Sequence, residues 1–216
     1  MEKLNTHLAS YYESRAKEYD KIYSKPERQE ELITISEFIK KTFADKNVLE
    51  IACGTGYWTE KISSAAKSVT AVDINKSVIE IAEERTRKCK NINYVISDLF
   101  NFKTDVKYDI LFGGFIWSHI PSETLDRFIK TVSNFIVPAR EVVFVDNNFV
   151  EGSSTPISQI DNNGNTYQRR ELQDKSTHLV LKNFPSEEFL KNKLSKYTRE
   201  IKIIPLQYYW ILCYSI

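Results

Sequence analysis

The residues most able to do chemistry cluster around a glycine-containing loop. Ala52-Cys53-Gly54-Thr55-Gly56 interrupts the apolar run 48–51, and Asp73, Asp98 and the pair Gly113-Gly114 follow at the ends of three later apolar runs. Glycines so placed let the backbone turn tightly or approach a ligand closely. A phosphate-binding P-loop needs Gly-Lys-Ser/Thr after its glycines, whereas Gly56 precedes Tyr57-Trp58. A dinucleotide loop needs a third glycine, and Thr59 stands there instead. A two-glycine loop remains compatible with a ligand that lacks a phosphate. An acid in the position of Asp73 can accept hydrogen bonds from both ribose hydroxyls of an adenosine, and one in the position of Asp98 can take an adenine amino group.

These groups must be carried by an α/β framework. Strand-like runs at 47–52, 68–73, 91–98, 108–115 and 140–148 alternate with helical stretches after the first, second and fourth, a pattern that predicts a parallel sheet covered on both faces. Leu32, Ile35, Phe38 and Ile39 recur at helical spacing, which predicts an amphipathic helix over 27–43; a shorter helix is expected over 6–22. Ser122 behind Pro121 is expected to cap the helix after the fourth strand. Beyond residue 148 the pattern changes. Turn signals surround two extended runs, "NTYQRREL" and "THLVLKNF", read as a hairpin or loosely extended pair. A helix over 186–197 follows, with Ser186 as its cap, and two strands around Pro205 close the chain.

Composition narrows the partners. Thirty basic and 29 acidic residues give a net charge of +1, which supplies no long-range attraction to nucleic acid or an anionic membrane. Cys53, Cys89 and Cys213 lie far apart, and no spacing suggests a zinc site or a disulfide framework. The N-terminal residues lack the apolar core of a secretory leader, and no apolar run approaches the ~20 residues of a membrane span. The expectation is a single domain over 1–216, cytoplasmic, with no bound metal, no nucleic acid and no membrane as partner.

With these residues in this order, the chain resembles the class I S-adenosylmethionine-dependent methyltransferases. "VLEIACGTG" looks like their first motif, "VTAVDI" the second, "VISDLF" the third and "YDILFGGFIWSHI" the fourth. "YYESRAKEYDKIYSKPERQ" and "GNTYQRREL…HLVLKNFPSE" look like a bacterial branch acting on small molecules. The resemblance implies a Rossmann-like, seven-stranded, mostly parallel sheet with an antiparallel last strand, S-adenosylmethionine as cofactor, and methyl transfer to an oxygen or nitrogen of a small-molecule acceptor. A non-catalytic binding or regulatory protein of the same fold is the alternative. The resemblance also implies roles by position. Glu50, where members commonly carry Asp, orients the loop and the methionine ammonium. Ala52, Cys53, Gly54 and Gly56 bring backbone against the methionine half. Asp73 holds the ribose with Ile74 against the adenine, Asp98 holds the adenine amine beside Leu99, and Gly113, Gly114 and Phe115 close over the methionyl end.

Further candidates surround that core. His119 lies at the rim where the methyl should point and could act as a base or contact the acceptor. Cys53 has no histidine near it in sequence and reads as a small buried residue. Trp58, Trp117, Tyr11, Tyr12, Tyr19 and Tyr23 could offer aromatic faces to the sulfonium. Residues 1–44 are expected to form a helical lid, which favours Tyr11, Tyr19 and Arg15 as cofactor contacts. An insertion over 149–184 is expected to shape the acceptor pocket, with Asn147, Tyr167, Arg169 and Arg170 as contacts and the arginines suited to a carboxylate or phosphate.

Overall fold

In the computed structural model, which describes residues 10–13 and 15–215, five parallel strands and two closing strands form one sheet. The strands are β1 (Asn47–Ile51), β2 (Ser68–Asp73), β3 (Ile92–Ile96), β4 (Tyr108–Gly114), β5 (Ile136–Asn147), β9 (Ile201–Pro205) and β10 (Tyr209–Ser215). Their spatial order is β3-β2-β1-β4-β5-β10-β9. β10 runs antiparallel to both of its neighbours, and the other pairings are parallel. The chain reverses direction across the sheet between β1 and β4. Open α/β sheets bind ligands at that point, beyond the carboxyl ends of the strands.

Alternation along β1 builds a core on each face. Val48 joins Ile35, Ile39, Phe43 and Ile62 on one side, while Leu49 and Ile51 join Phe128, Val132 and Leu190 on the other. The helices follow this division. α2 (Gln29–Phe43) and α3 (Tyr57–Ser63) supply the first core together with Ile79 of α4 (Lys76–Arg85); α5 (Leu125–Ser133) and α6 (Glu187–Leu194) supply the second. Ser186 caps α6, its side chain accepting from the Phe189 N–H at 3.1 Å.

The structure corrects several expectations. β5 begins at Ile136 and runs through Pro138, because the register slips between Tyr108 and Ile110 and Ala139 turns left-handed at φ 61°. A bulge relieves the ladder of the N–H that proline lacks. Ser122 caps nothing: it opens a 3-10 turn, and its N–H donates to Asn165 Oδ1 at 2.8 Å. Of the helix expected over 6–22, residues 10–13 and 15 are helical (α1) and Ala16–Ser24 is a 3-10 helix; residues 6–9 and 14 lie outside the described residues. The hairpin after residue 148 has a third strand. β6 (Ile157–Ile160), β7 (Thr166–Glu171) and β8 (Thr177–Leu181) form a separate antiparallel sheet in that order. This small sheet packs Leu172 and Val180 against Tyr11 of α1. It docks on the main body where the Asn183 N–H donates to Ser118 O at 2.8 Å. Among the described residues, no helix is long and apolar enough to cross a membrane.

Candidate active site

The loop after β1 is made of left-handed backbone. Ala52, Gly54 and Gly56 have φ of 52°, 54° and 78°. For a residue with a side chain this conformation costs about 1–3 kcal/mol, so Ala52 must be held there by its surroundings. Cys53 N–H donates to Val72 O at 3.1 Å, and Gly54 N–H donates to Asp73 Oδ2 at 2.9 Å. The two glycines serve different needs. A Cβ at Gly56 would come within 2.8 Å of Ala82 Cβ, so Gly56 lets α4 pack close; a Cβ at Gly54 would meet nothing within 4 Å and would stand in open space.

That space is a cavity of about 170 Å³ at the carboxyl ends of β1, β2, β3 and β4. Its walls include Tyr19, Ala52, Gly54, Asp73, Ile74, Asp98, Leu99, Gly114 and Phe115. Asp73 Oδ1 also accepts from Asn75 N–H at 2.9 Å; burial pushes its carboxyl upward while these backbone donors pull it back. Asp98 Oδ1 accepts from Phe100 N–H at 2.9 Å. The two acids share one rim.

Six residues expected at this cavity lie elsewhere: Arg15 lines the second cavity described below, and Gly113 is packed where a Cβ would come within 2.6 Å of Phe144 Cε1. Glu50, Cys53 and Gly56 sit off its wall, the first two buried in the body of the protein. Glu50 is 1% exposed with Oε2 unpartnered, and burial raises its carboxyl to about 8. Tyr11 belongs to a second cavity. Sequence reasoning missed Thr55, which lines the first cavity and ties the loop to its neighbours. Thr55 Oγ1 donates to Asp20 Oδ1 at 2.6 Å, Arg85 Nη1 donates to Thr55 O at 2.9 Å, and Arg85 pairs with Asp20. This latch joins the N-terminal 3-10 helix, the loop and α4.

The second cavity, of about 350 Å³, lies between α1, the 3-10 helix after it and the small sheet. Of the residues expected to contact the acceptor, His119, Asn147, Arg169 and Arg170 line it, and Trp117 and Tyr167 do not. Trp117 is 1% exposed and packs its ring 5.2 Å from Phe144 and 6.0 Å from Phe128. The 3-10 turn Trp117–His119 sends these two side chains to different places. Tyr167 instead donates its hydroxyl to Asp161 Oδ2 at 3.1 Å. Trp58 and Tyr23 are likewise core residues, whereas Tyr12 and Tyr19 line both cavities.

The charge in the second cavity is lopsided. Arg15, Lys21, Lys25, Arg28, Arg169, Arg170 and Lys182 line it against Glu18 and Glu171. Lys182 is buried and donates to Ser118 Oγ at 2.6 Å and to Asp146 Oδ1 at 2.9 Å. Asp146, 0% exposed, also accepts from the Ser118 and Asn147 N–H groups at 2.9 and 2.8 Å. Lys182 falls within the run "HLVLKNFPSE" and Asp146 within the strand run 140–148, but no spacing in the sequence points to their pairing.

His119 is fixed at both nitrogens. Nδ1 lies 2.6 Å from Leu181 O, which can only accept, so Nδ1 carries the hydrogen. Nε2, 2.7 Å from the Tyr12 hydroxyl, is then the acceptor of that bond. Burial first, then the charges of Lys182 and Arg170, hold the imidazole well below its ordinary range. It is a neutral acceptor at physiological pH. Tyr12, Tyr19, Phe115 and His119 line both cavities and stand at their common boundary.

Comparison with known proteins bears on what the first cavity holds. Residues 48–139 match a family described as "Methyltransferase domain". The DhpI protein in its complex with SAH superimposes with a TM-score of 0.82 at 26% identity, covering 100% of this chain and 98% of that one. Over these residues the chain is similar to a methyltransferase domain, and over its whole length to S-adenosylmethionine-dependent methyltransferases of known structure. Those solved structures are complexes with SAH and with SAM, which supports S-adenosylmethionine as the cofactor. Two curated relatives are more distant in extent. Malonyl-[acyl-carrier protein] O-methyltransferase 1 of Ilyobacter polytropus is 29% identical over 36% of this chain and 30% of its own length. Ubiquinone biosynthesis O-methyltransferase of Coxiella burnetii is 30% identical over 50% of this chain and 47% of its own length. The match thus spans less than half the length of these curated relatives.

The residues present fit that cofactor. Gly54 leaves open the space a side chain would fill, Asp73 keeps lone pairs beyond its backbone bonds, and among the described residues the rim carries no lysine like that of a phosphate site.

Proposed function

We propose that this chain transfers the methyl group of S-adenosylmethionine to an oxygen or nitrogen of a small acceptor seated in the larger cavity. The observation that carries this reading is the shared boundary: the cavity at the strand ends and the larger cavity are both lined by Tyr12, Tyr19, Phe115 and His119.

In this reading Asp73 takes the ribose hydroxyls and Asp98 the adenine amine, with Ile74 and Leu99 as apolar walls of the same cavity. Ala52, Gly54 and Gly114 present backbone where a larger residue would intrude. Glu50, beneath the loop, supports it from behind. When bound, the cofactor supplies a methyl on a positively charged sulfur that is already activated for transfer. Aromatic groups at this boundary favour a cation by about 0.5–2 kcal/mol. The 10–44 segment closes the site from above, held to the loop by Asp20, Thr55 and Arg85. The 149–184 segment walls the acceptor side. Holding two reactants in line can remove about 7–11 kcal/mol of barrier, so the chain's contribution is chiefly positioning and exclusion of water.

Isothermal titration with S-adenosylmethionine and S-adenosylhomocysteine tests the cofactor half, with micromolar binding expected. Formation of S-adenosylhomocysteine on addition of an acceptor pool tests the transfer. Tight binding without turnover across that pool would favour a binding protein of the same fold.

A further inference from the structure

Resting on the methyltransferase reading above, we propose that Glu50 is a positioning residue that works as a neutral carboxylic acid: its proton leaves Asp73 the charged member of a buried acid pair under the loop, and loss of that proton opens the loop and ends cofactor binding. This differs from the role of an ionised acid set against the methionine ammonium. Placement comes first. Glu50 stands in register with Ala71 of β2 and Phe112 of β4, within the sheet. Asp73 lies two residues beyond Ala71, so the two acids leave the same face.

Both acids are buried, yet their partners differ. Asp73 takes the N–H groups of Gly54 and Asn75, each at 2.9 Å. Glu50 is 1% exposed, and among the described residues its Oε2 has no hydrogen-bond partner and no cation pairs with it. Thr59 faces it from α3, fully buried and with Oγ1 unpartnered. Cys53 faces it from the loop, Asp73 from β2 and Tyr94 from β3, the last with its hydroxyl 3.0 Å from Thr86 Oγ1. These neighbours are neutral or negative. A buried carboxylate is costly unless it is paired, and a like charge beside it adds to the cost. The acid with backbone donors therefore keeps the charge, and the acid without them keeps the proton. As a neutral acid Glu50 also has an O–H that the Thr59 hydroxyl can accept.

The loop gives that proton its consequence. Ala52, two residues after Glu50, is held left-handed at φ 52°, and the Gly54 N–H is held by Asp73. A second negative charge beneath this backbone meets no donor, and water can reach it only if the loop lifts. The lifted loop takes Ala52 and Gly54 away from the cavity wall that they build. Burial first, opposed by Thr59 and aided by the Asp73 charge, raises the Glu50 carboxyl to about 8. The closed loop is thus favoured by the protonated form and is lost as pH rises through that value.

The test titrates S-adenosylhomocysteine into wild type and Glu50→Gln between pH 6.5 and pH 9, with circular dichroism reporting that each stays folded. At pH 6.5 the two should bind alike. By pH 9 wild type should have weakened about ten-fold relative to Glu50→Gln, the effect of one proton; titration of the ligand itself cancels from that ratio. 5′-Methylthioadenosine, which has no ammonium, should show the same widening. A widening confined to S-adenosylhomocysteine would set Glu50 against the ammonium and overturn the proposal. Loss of binding by folded Glu50→Gln at pH 6.5, or a ratio that does not change with pH, overturns it as well. Should Glu50→Gln not fold, infrared difference spectra of wild type decide: a protonated-carboxyl band is expected at pH 6.5 and should be largely gone at pH 9. A band missing at pH 6.5, or unchanged at pH 9, overturns the proposal. All of these outcomes leave the methyltransferase reading intact. Failure of wild type to bind S-adenosylhomocysteine at pH 6.5 overturns that reading itself.

Discussion

The two cavities are built on different principles. The smaller cavity is made from backbone and short acids at neighbouring strand ends: Gly54 and Asp73 touch directly, and Asp98 lies one strand away. The larger cavity is made from long side chains delivered by separate elements. Arg15 comes from α1, Arg28 from the turn before α2, Arg170 from β7 and Lys182 from the end of β8. The first is rigid because the sheet is rigid. The second depends on a small sheet and an N-terminal segment staying docked, which is where specificity can change without disturbing the cofactor.

The largest expected effect breaks the acceptor side. Asp146→Asn leaves Lys182 buried without its counter-charge, and loss of one partner of a buried pair costs about 3–5 kcal/mol. Urea unfolding should show it, and the double variant Asp146→Leu/Lys182→Met should recover much of the loss. A single variant as stable as wild type would mean that the pair is not sequestered as the structure has it. Next comes the cofactor side. Asp73→Ala removes an acceptor worth about 1.5–3 kcal/mol for each bond to a charged group, so S-adenosylmethionine affinity should fall about 100-fold in titration calorimetry. Unchanged affinity would strip Asp73 of its ribose role.

Glu50 sharpens the comparison through pH. Its carboxyl is raised from the ordinary 4.5 to about 8 by burial. The stability from its protonated form is complete below about pH 4.5 and is lost as pH rises through about 8. Glu50→Gln should therefore melt higher than wild type at pH 8 in the absence of cofactor, by about 2–4 °C for each kcal/mol relieved. The gap should close toward pH 5, and a gap independent of pH would contradict the burial argument. The smallest effect lies at the latch. Asp20→Asn loosens a partly exposed ion pair worth about 1 kcal/mol or less. Stability should hardly move, while stopped-flow release of S-adenosylhomocysteine speeds up several-fold. An unchanged release rate would detach the latch from the cofactor side.

Legibility in the sequence follows the same division. Alternating strands and helices, the loop and the two strand-end acids are local patterns, and local patterns survive in one dimension. The antiparallel turn-back of β10 was legible only through family resemblance. Pro138 hid the start of β5, because a proline inside a strand is tolerated only where a bulge removes its hydrogen-bond partner. β6 hid because it is four residues long and exposed throughout, so no burial alternation marks it. Trp117 and His119 are two residues apart, yet one enters the core and the other reaches the boundary of the two cavities; spacing cannot tell which way a 3-10 turn will face. Asp146 and Lys182 are separated by 36 residues and meet only because the small sheet docks beside Ser118.

A crystal structure of the chain with S-adenosylhomocysteine tests the central claim most directly. The account predicts ribose hydroxyls on the Asp73 carboxylate, adenine beside Asp98 and Leu99, and sulfur turned toward Tyr12, Tyr19, Phe115 and His119. A nucleoside bound away from Asp73, or a sulfur facing away from the cationic cavity, would contradict it.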